Sequence, residues 1–277
     1  MNEISAALVK ELREETNVGM MECKRALIEA GGDKTRAIQI LRERGLAVAT
    51  KKAARAANNG VIAASVSQDG RVGVLLEVNC ETDFVARNEI FRALVADLLR
   101  RALAAAGDLA TEAADALRLA IQKTGENIVL RRHLRMDALE SGRMAAYVHL
   151  GDKLGVLAEL EASDAVAAAP SFADVARDVT LHLAACRPPY LRREDVPPEV
   201  IAAEKDIYAK QVTNKPPAIV EKIVQGKIEK YFSGVCLLEQ PFVKDDKLSV
   251  GKWLEAKGRE LGGPIGIRRY VIWTLGE

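Results

Sequence analysis

Residues 62–78 and 144–160 lie on one another at an offset of 82 without a gap, and seven of the seventeen positions are identical. The matches are Ala63/Ala145, Ala64/Ala146, Val66/Val148, Gly73/Gly155, Val74/Val156, Leu75/Leu157 and Glu77/Glu159. A chain that writes the same pattern twice is constrained to build the same unit twice. In each copy an apolar run meets a tight turn, Gln68-Asp69-Gly70 or Leu150-Gly151-Asp152, and a second apolar run follows. Turn residues between short apolar runs signal a hairpin. Each copy then enters a helical pattern that starts on a phenylalanine, Phe91 to Leu98 in the first and Phe172 to Val179 in the second. Two copies are too few for a solenoid. The repeat therefore predicts two homologous α+β subdomains with small antiparallel sheets. Asn127–Arg132 supplies a closing strand for the first and Gly266–Trp273 for the second.

The flanking segments read differently. Residues 1–50 predict a three-helix bundle. Ser5 caps a helix to about Glu15 with Leu8, Val9 and Leu12 on one face, and Thr16-Asn17-Val18-Gly19 breaks it. Met20, Cys23, Leu27 and Ala30 recur at helical spacing until Gly31-Gly32. Asp33 then caps a third helix with Ala37, Ile40, Leu41 and Arg44. Residues 51–60 have no useful apolar face and read as a linker. The subdomains then span 61–140 and 141–277. The second carries an insertion at about 197–232, where Pro197-Pro198 opens one helix and Asn214-Lys215-Pro216-Pro217 turns the chain into another. Val200, Ile207 and Val212 face Ile219, Ile223, Ile228 and Phe232 in narrow stripes, which predicts an antiparallel helical hairpin.

Composition removes several functions. Across 277 residues, 40 basic side chains against 39 acidic ones leave a net charge of +1. Direct nucleic-acid binding, which relies on a basic excess to displace counterions, is not expected. No uncharged apolar run approaches the ~18–20 residues that cross a bilayer, and the Met1-Asn2-Glu3-Ile4 start lacks a secretory signal. Cys23, Cys80, Cys186 and Cys236 are far apart, without C-x-x-C or histidine at ligand spacing. They read as buried free thiols of a cytoplasmic protein, with no metal. There is no phosphate loop, dinucleotide fingerprint, nucleophile elbow or zinc-protease motif, so neither an enzyme nor a cofactor is expected. His133 and His182 fall in apolar-periodic segments and read as structural, whereas His149 ends a strand and faces the surface or a partner.

What remains is the end of the first copy's second strand, Asn79-Cys80-Glu81-Thr82-Asp83-Phe84-Val85-Ala86-Arg87-Asn88. Aromatic residues are only 4% of the chain, yet one stands here in a loop. The second copy reads Ala162-Ser163-Asp164-Ala165-Val166, so the repeat fold does not need a phenylalanine there. The residues alone leave two readings open, core packing of Phe84 or an aromatic offered to a partner. Val18-Gly19-Met20-Met21 places further apolar groups at the mouth of the first interhelical turn, where small ubiquitin-associated-type modules bind partners.

In this order the segments resemble one family, the bacterial elongation factor Ts proteins. The resemblance runs through 8–13, Gly19-Met20-Met21-Glu22-Cys23-Lys24-Arg25-Ala26-Leu27, Glu77 to Ala86, Gly125-Glu126-Asn127-Ile128, Leu154-Gly155-Val156-Leu157, Glu194-Asp195-Val196-Pro197 and Gln240-Pro241-Phe242-Val243. It implies guanine nucleotide exchange on the GTPase EF-Tu. Thr82, Asp83, Phe84 and Val85 would enter the partner's GTPase domain and disturb its Mg²⁺ site. Val18, Gly19 and Met20 would contact the same domain, and His149 with Gly151 the partner's domain 3. Two departures stand out. The chain stops at Leu275-Gly276-Glu277, so a C-terminal helix contact known in some relatives is not carried over; Glu239 replaces a frequent glycine, which implies a local loop difference. The rival reading is an adaptor that binds a protein or RNA through the N-terminal bundle alone.

Overall fold

The structure is a computed structural model that describes residues 4–16, 18–149, 151–212 and 215–277. Met1 to Glu3, Asn17, Leu150 and Asn214, all invoked above, lie outside the described residues. The fold is α+β, and the described residues form two compact units. One comprises residues within 1–65, 74–135 and 274–277, the other residues within 66–73 and 136–273.

The first unit begins with α1 (Ala6–Thr16), α2 (Met20–Glu29) and α3 (Lys34–Lys52). Ser5 Oγ accepts from the Leu8 N–H at 3.2 Å and Asp33 accepts from the Arg36 N–H at 3.0 Å, so each cap satisfies an orphan donor. Gly31 and Gly32 take the left-handed conformation that a side chain would resist. Val9, Leu12, Cys23, Ala26, Leu27, Ala37 and Leu41 close the bundle core, and Val18 joins them. The second helix packs with Ala26 rather than Met20, which stays half exposed.

Strands β1 (Asn59–Val66), β2 (Val72–Cys80) and β3 (Ile128–Asp137) form a sheet of that order, so the repeat's second strand is central. Between β2 and β3 run α4 (Asp83–Arg87), α5 (Glu89–Ala104), α6 (Leu109–Glu112) and α7 (Ala114–Thr124). Val74, Leu76, Val78 and Cys80 alternate along one face of β2 and pack against Phe91, Leu94, Val95 and Leu98 of α5. Full burial of Phe91 or Leu98 contributes about 1.5–3 kcal/mol each. In α7, Leu119 also packs against the bundle core.

The second unit repeats the plan. Here β4 (Gly142–His149) pairs antiparallel with β5 (Leu154–Ala162) from Gly142↔Glu161 to His149↔Leu154. After α8 (Asp164–Ala167) and α9 (Phe172–Cys186) come the hairpin helices α10 (Pro198–Gln211) and α11 (Pro217–Val235). A two-stranded ribbon of β6 (Pro241–Phe242) and β7 (Asp245–Ser249) leads to α12 (Val250–Leu261) and to β8 (Ile265–Thr274), which closes a sheet of order β4-β5-β8.

Several side chains depart from the sequence expectations. His133 is exposed, because it shares the outward face of β3 with Val129 and Arg131 while Ile128 and Met136 point inward. Cys186 is exposed, unlike the other three thiols. In the helical hairpin Ile207 and Ile219 are exposed. The seam is instead built from Val200, Ile201 and Tyr208 against Val224, Ile228, Tyr231 and Phe232. At the base of that hairpin Glu239 forms an ion pair with Arg193, which also reaches Glu229 at 2.7 Å and stacks 4.7 Å from the Phe232 ring centre. Glu239 is thus a partner of this cation.

The repeat-identical glutamates, Glu77 and Glu159, are both fully buried. Glu77 meets Arg131 at 3.1 Å and Arg132 at 2.7 Å, and accepts from the Gly276 N–H at 3.0 Å. Glu159 meets Arg269 at 2.7 Å and accepts from the Leu139 N–H at 2.8 Å. The arginine tips also correspond: Arg132 donates to the Thr274 carbonyl at 3.0 Å and Arg269 to the Asp137 carbonyl at 2.9 Å. Buried carboxylates are tolerated when they are paired and hydrogen-bonded in this way.

Candidate partner-binding site

The chain leaves β2 at Cys80, a buried position, and turns through Glu81 and Thr82 into α4. Thr82 is extended and caps the helix, its hydroxyl accepting from the Val85 N–H at 3.3 Å. Ala86 is buried and Val85 packs on the core of the unit, which fixes the inward face of the helix. Phe84 then has nowhere to go but out, and it is 82% exposed. It is the most exposed large hydrophobic side chain among the described residues. Beside it Asp83 pairs with Arg87 at 3.1 Å along the solvent side.

A five-residue helix has no stability of its own. Two carboxylates hold this one. Glu126, just past α7, accepts from the Glu81 N–H at 3.1 Å, the Thr82 N–H at 3.0 Å and the Thr82 hydroxyl at 2.6 Å. Glu81 answers by accepting from the Asn127 N–H at 2.7 Å. That N–H, assisted by Arg55 and opposed by desolvation, holds the Glu81 carboxyl below its ordinary value. The Asn59 side-chain amide donates to the Glu81 carbonyl at 2.9 Å, and that of Asn127 to the Arg55 carbonyl at 2.8 Å. Phe84 therefore stands on a turn whose backbone donors are taken up by the segment between α7 and β3.

Also in the first unit, the turn between α1 and α2 presents a second apolar surface. Val18 is only 5% exposed and its side chain belongs to the bundle core. Exposure at this turn falls to Gly19, Met20 and Met21. Gly19 lies just before α2, where a side chain would meet open space. In the second unit His149 ends β4, exposed, with its Nδ1 2.7 Å from the Tyr147 hydroxyl and its ring stacked on the tyrosine. Gly151 and Asp152 follow in the left-handed region. The structure gathers Thr82 to Val85 in one capped turn of helix; Val18 to Met20 belong to the α1–α2 segment of the same unit, and His149 with Gly151 to the second unit.

No group of three or more His, Cys, Asp and Glu side chains among the described residues is arranged to hold a metal ion. No described helix is long and apolar enough to cross a membrane.

The family profile described as Elongation factor TS matches residues 81–277. An elongation factor Ts from Symbiobacterium thermophilum is 45% identical over 284 aligned positions that cover 100% of this chain and 93% of the relative. Elongation factor Ts proteins of Clostridium perfringens and Trichlorobacter lovleyi are 44% and 40% identical, each alignment covering 99% of this chain and 93% of the relative. The chain belongs to the elongation factor Ts family. It is a translation elongation factor, and its bundle and paired α+β units are those expected of an elongation factor Ts.

Within that family frame, sequence reasoning placed Phe84 but missed what holds it. Glu126 is 45 positions from Glu81, and nothing in its spacing announces a hydrogen bond to that turn. One local sign was available. Gly125 ends α7 in the left-handed conformation, so Glu126 and Asn127 start a chain reversal that must bring them beside the sheet.

Proposed function

We propose that this chain is a guanine nucleotide exchange factor for the GTPase EF-Tu, acting without covalent chemistry in the cytoplasm. The observation that carries the reading is the side chain of Phe84, exposed on a one-turn helix whose backbone is clamped. A presented aromatic of this kind gains about 1.5–3 kcal/mol when buried in a partner, and that gain supports a distorted partner conformation. GDP is held through its phosphates and a Mg²⁺ ion that offsets their charge. A protein that binds best when this arrangement is disturbed must weaken GDP by the same factor by which GDP weakens it. A coupling of about 1–3 kcal/mol corresponds to roughly 5–150-fold in affinity. In this mechanism Phe84 wedges into the GTPase domain, while Asp83 supports the displaced Mg²⁺ region from the exposed side of the same turn.

The remaining surfaces supply binding energy rather than distortion. Gly19 and Met20 touch the GTPase domain, on a turn whose shape is set by the burial of Val18. His149 and the turn at Gly151 grip domain 3. GTP then enters by mass action and the factor departs. Stopped-flow release of a fluorescent GDP from EF-Tu tests the reading: Phe84→Ala should slow release at saturating factor far more than it weakens binding. Release as fast as with the wild-type chain would remove the wedge. An adaptor acting through the bundle alone would bind EF-Tu as residues 1–50 and ignore Phe84.

A further inference from the structure

The two repeat copies differ at three places that the first unit brings together. Cys80 and Ala162 end equivalent strands, but the first copy then has one additional residue, Glu81, before its cap. Aligned on the caps, Thr82-Asp83-Phe84-Val85-Ala86 matches Ser163-Asp164-Ala165-Val166-Ala167, so alanine stands where the first copy has Phe84. The third difference precedes the closing strand. Gly125 and Gly262 both end a helix in the left-handed conformation, and the next two residues are Glu126-Asn127 in one copy and Gly263-Pro264 in the other. The second copy has no carboxylate to receive the turn's N–H groups. Its proline has no N–H to offer in return.

The second copy builds its counterpart of the short helix without these additions. Ser163 caps α8 by accepting from the Val166 N–H at 3.3 Å, the same bond at the same length that Thr82 makes to Val85. The second copy thus builds the turn of helix with its cap and an ion pair from Arg143 to Asp164 at 2.6 Å, without a carboxylate on its N-terminal amides from the closing segment, and Val166 is buried beneath it. In the first copy three hydrogen bonds to Glu126 and one to Glu81 have been added around a helix that carries an exposed aromatic. The additions anchor the residues immediately before Phe84 and do not touch its ring.

We infer that Glu126, with Glu81 as its counterpart, is a positioning residue for exchange: it fixes the direction in which Phe84 leaves the protein. The inference rests on the exchange reading above. An aromatic that must enter a partner at one angle loses effectiveness when its stem can rotate, because ordering it then falls to the encounter itself. Glu126 acts through hydrogen bonds rather than through charge. Its Oε2 receives the two backbone donors and its Oε1 the Thr82 hydroxyl. A glutamine can keep all three contacts, since its amide can donate to the hydroxyl oxygen.

The full chain with Glu126→Ala, Glu126→Gln or Phe84→Ala, assayed for fluorescent GDP release from EF-Tu across factor concentrations, separates the possibilities. Glu126→Ala should lower the saturating rate about tenfold, with little change in the concentration at half saturation. Glu126→Gln should stay within about twofold of wild type. Hydrogen–deuterium exchange should show accelerated exchange in Glu126→Ala confined to about residues 81–87. A wild-type rate for Glu126→Ala, with Phe84→Ala slow, overturns the positioning role and leaves the wedge standing. Equal losses in the alanine and glutamine variants overturn it too, because charge would then be what matters. If Phe84→Ala itself releases GDP at the wild-type rate, the exchange reading fails first. Should Glu126→Ala not fold, the wild-type chain still decides: Glu81 and Thr82 amides that exchange as fast as open loop amides overturn the clamp.

Discussion

The two repeat copies keep their interiors and diverge at one rim. Both place a buried glutamate on the central strand, Glu77 and Glu159, opposite an arginine pair on the closing strand, Arg131-Arg132 and Arg268-Arg269. Both turn from that strand into a capped helix of one turn and then into a long helix that begins on or near a buried phenylalanine, Phe91 or Phe172. What differs is the surface of the short helix. One copy shows Phe84, and the other shows Ala165. The comparison teaches that the paired charges belong to the fold and the clamped aromatic does not, because the same fold is built with and without the latter.

The sharpest way to break this comparison is to exchange the residue types at the two equivalent positions, Phe84 and Ala165. Phe84→Ala should slow saturating GDP release from EF-Tu by about a hundredfold, near the top of ordinary coupling energies. Ala165→Phe should leave release unchanged; equal sensitivity at the two sites would dissolve the distinction. The shared interior should respond alike in both copies. Glu77→Ala and Glu159→Ala should each cost about 2–3 kcal/mol in urea unfolding, as buried backbone donors and an arginine pair lose their acceptor. A loss at only one site would show that the two charges are not equivalent. A smaller effect tests why the second copy cannot carry a clamp. A Cβ on Gly263 would lie 2.8 Å from Val166 Cγ2, so Gly263→Ala should cost about 1–2 kcal/mol by overpacking. An unchanged unfolding midpoint would show that Val166 moves freely.

The smallest effect depends on pH and belongs to the second copy alone. His182 is buried on α9, where the corresponding helix of the first copy has Arg101. Its Nδ1 accepts from the Val243 N–H at 3.2 Å, so the proton sits on Nε2, 2.9 Å from the Gln240 amide oxygen. Burial pushes its pKa below the ordinary 6.5, although the bond to Gln240 opposes the shift. A depressed histidine pKa means that the unfolded chain binds the proton more readily. The associated stability is present above pH 6.5 and is lost as pH falls through the folded value. Urea midpoints at about pH 7.5 and about pH 5.5 should therefore diverge more for wild type than for His182→Gln. Identical pH dependence in the two proteins would remove this histidine from the account.

Much of the architecture is legible in the sequence, because its signals are local. The offset repeat, the Gly-Asp turns, the Ser5 and Asp33 caps and the proline-opened helices each act within a few residues. What escaped reading depends on faces and on distance. Ile207 and Ile219 fit an apolar stripe, yet both are exposed and the hairpin seam uses Tyr208 and Tyr231. His133 lies among apolar residues but on the outward side of a strand. Val18 marks an apolar turn, yet it fills the bundle core. The direction of Phe84 was undecided from residues alone; family resemblance favoured exposure, and the burial of Ala86 with the packing of Val85 supplies the physical cause. Glu126 was out of reach, since a carboxylate 45 residues from its donors leaves no periodic trace.

The two buried glutamates also bear on how such a chain could arise. Each receives a backbone donor from just past the closing strand of the other copy: Gly276 for Glu77, Leu139 for Glu159. In a half-length ancestor the donor at the chain's own end would reach the glutamate of a second copy, and two identical halves trading their ends would satisfy both, as domain-swapped homodimers do. Gene duplication and fusion would then turn a swap between molecules into a swap within one. The hypothesis has a direct check: the separately expressed halves should be poorly soluble alone and recover on coexpression, and two halves that are each stable monomers would refute it.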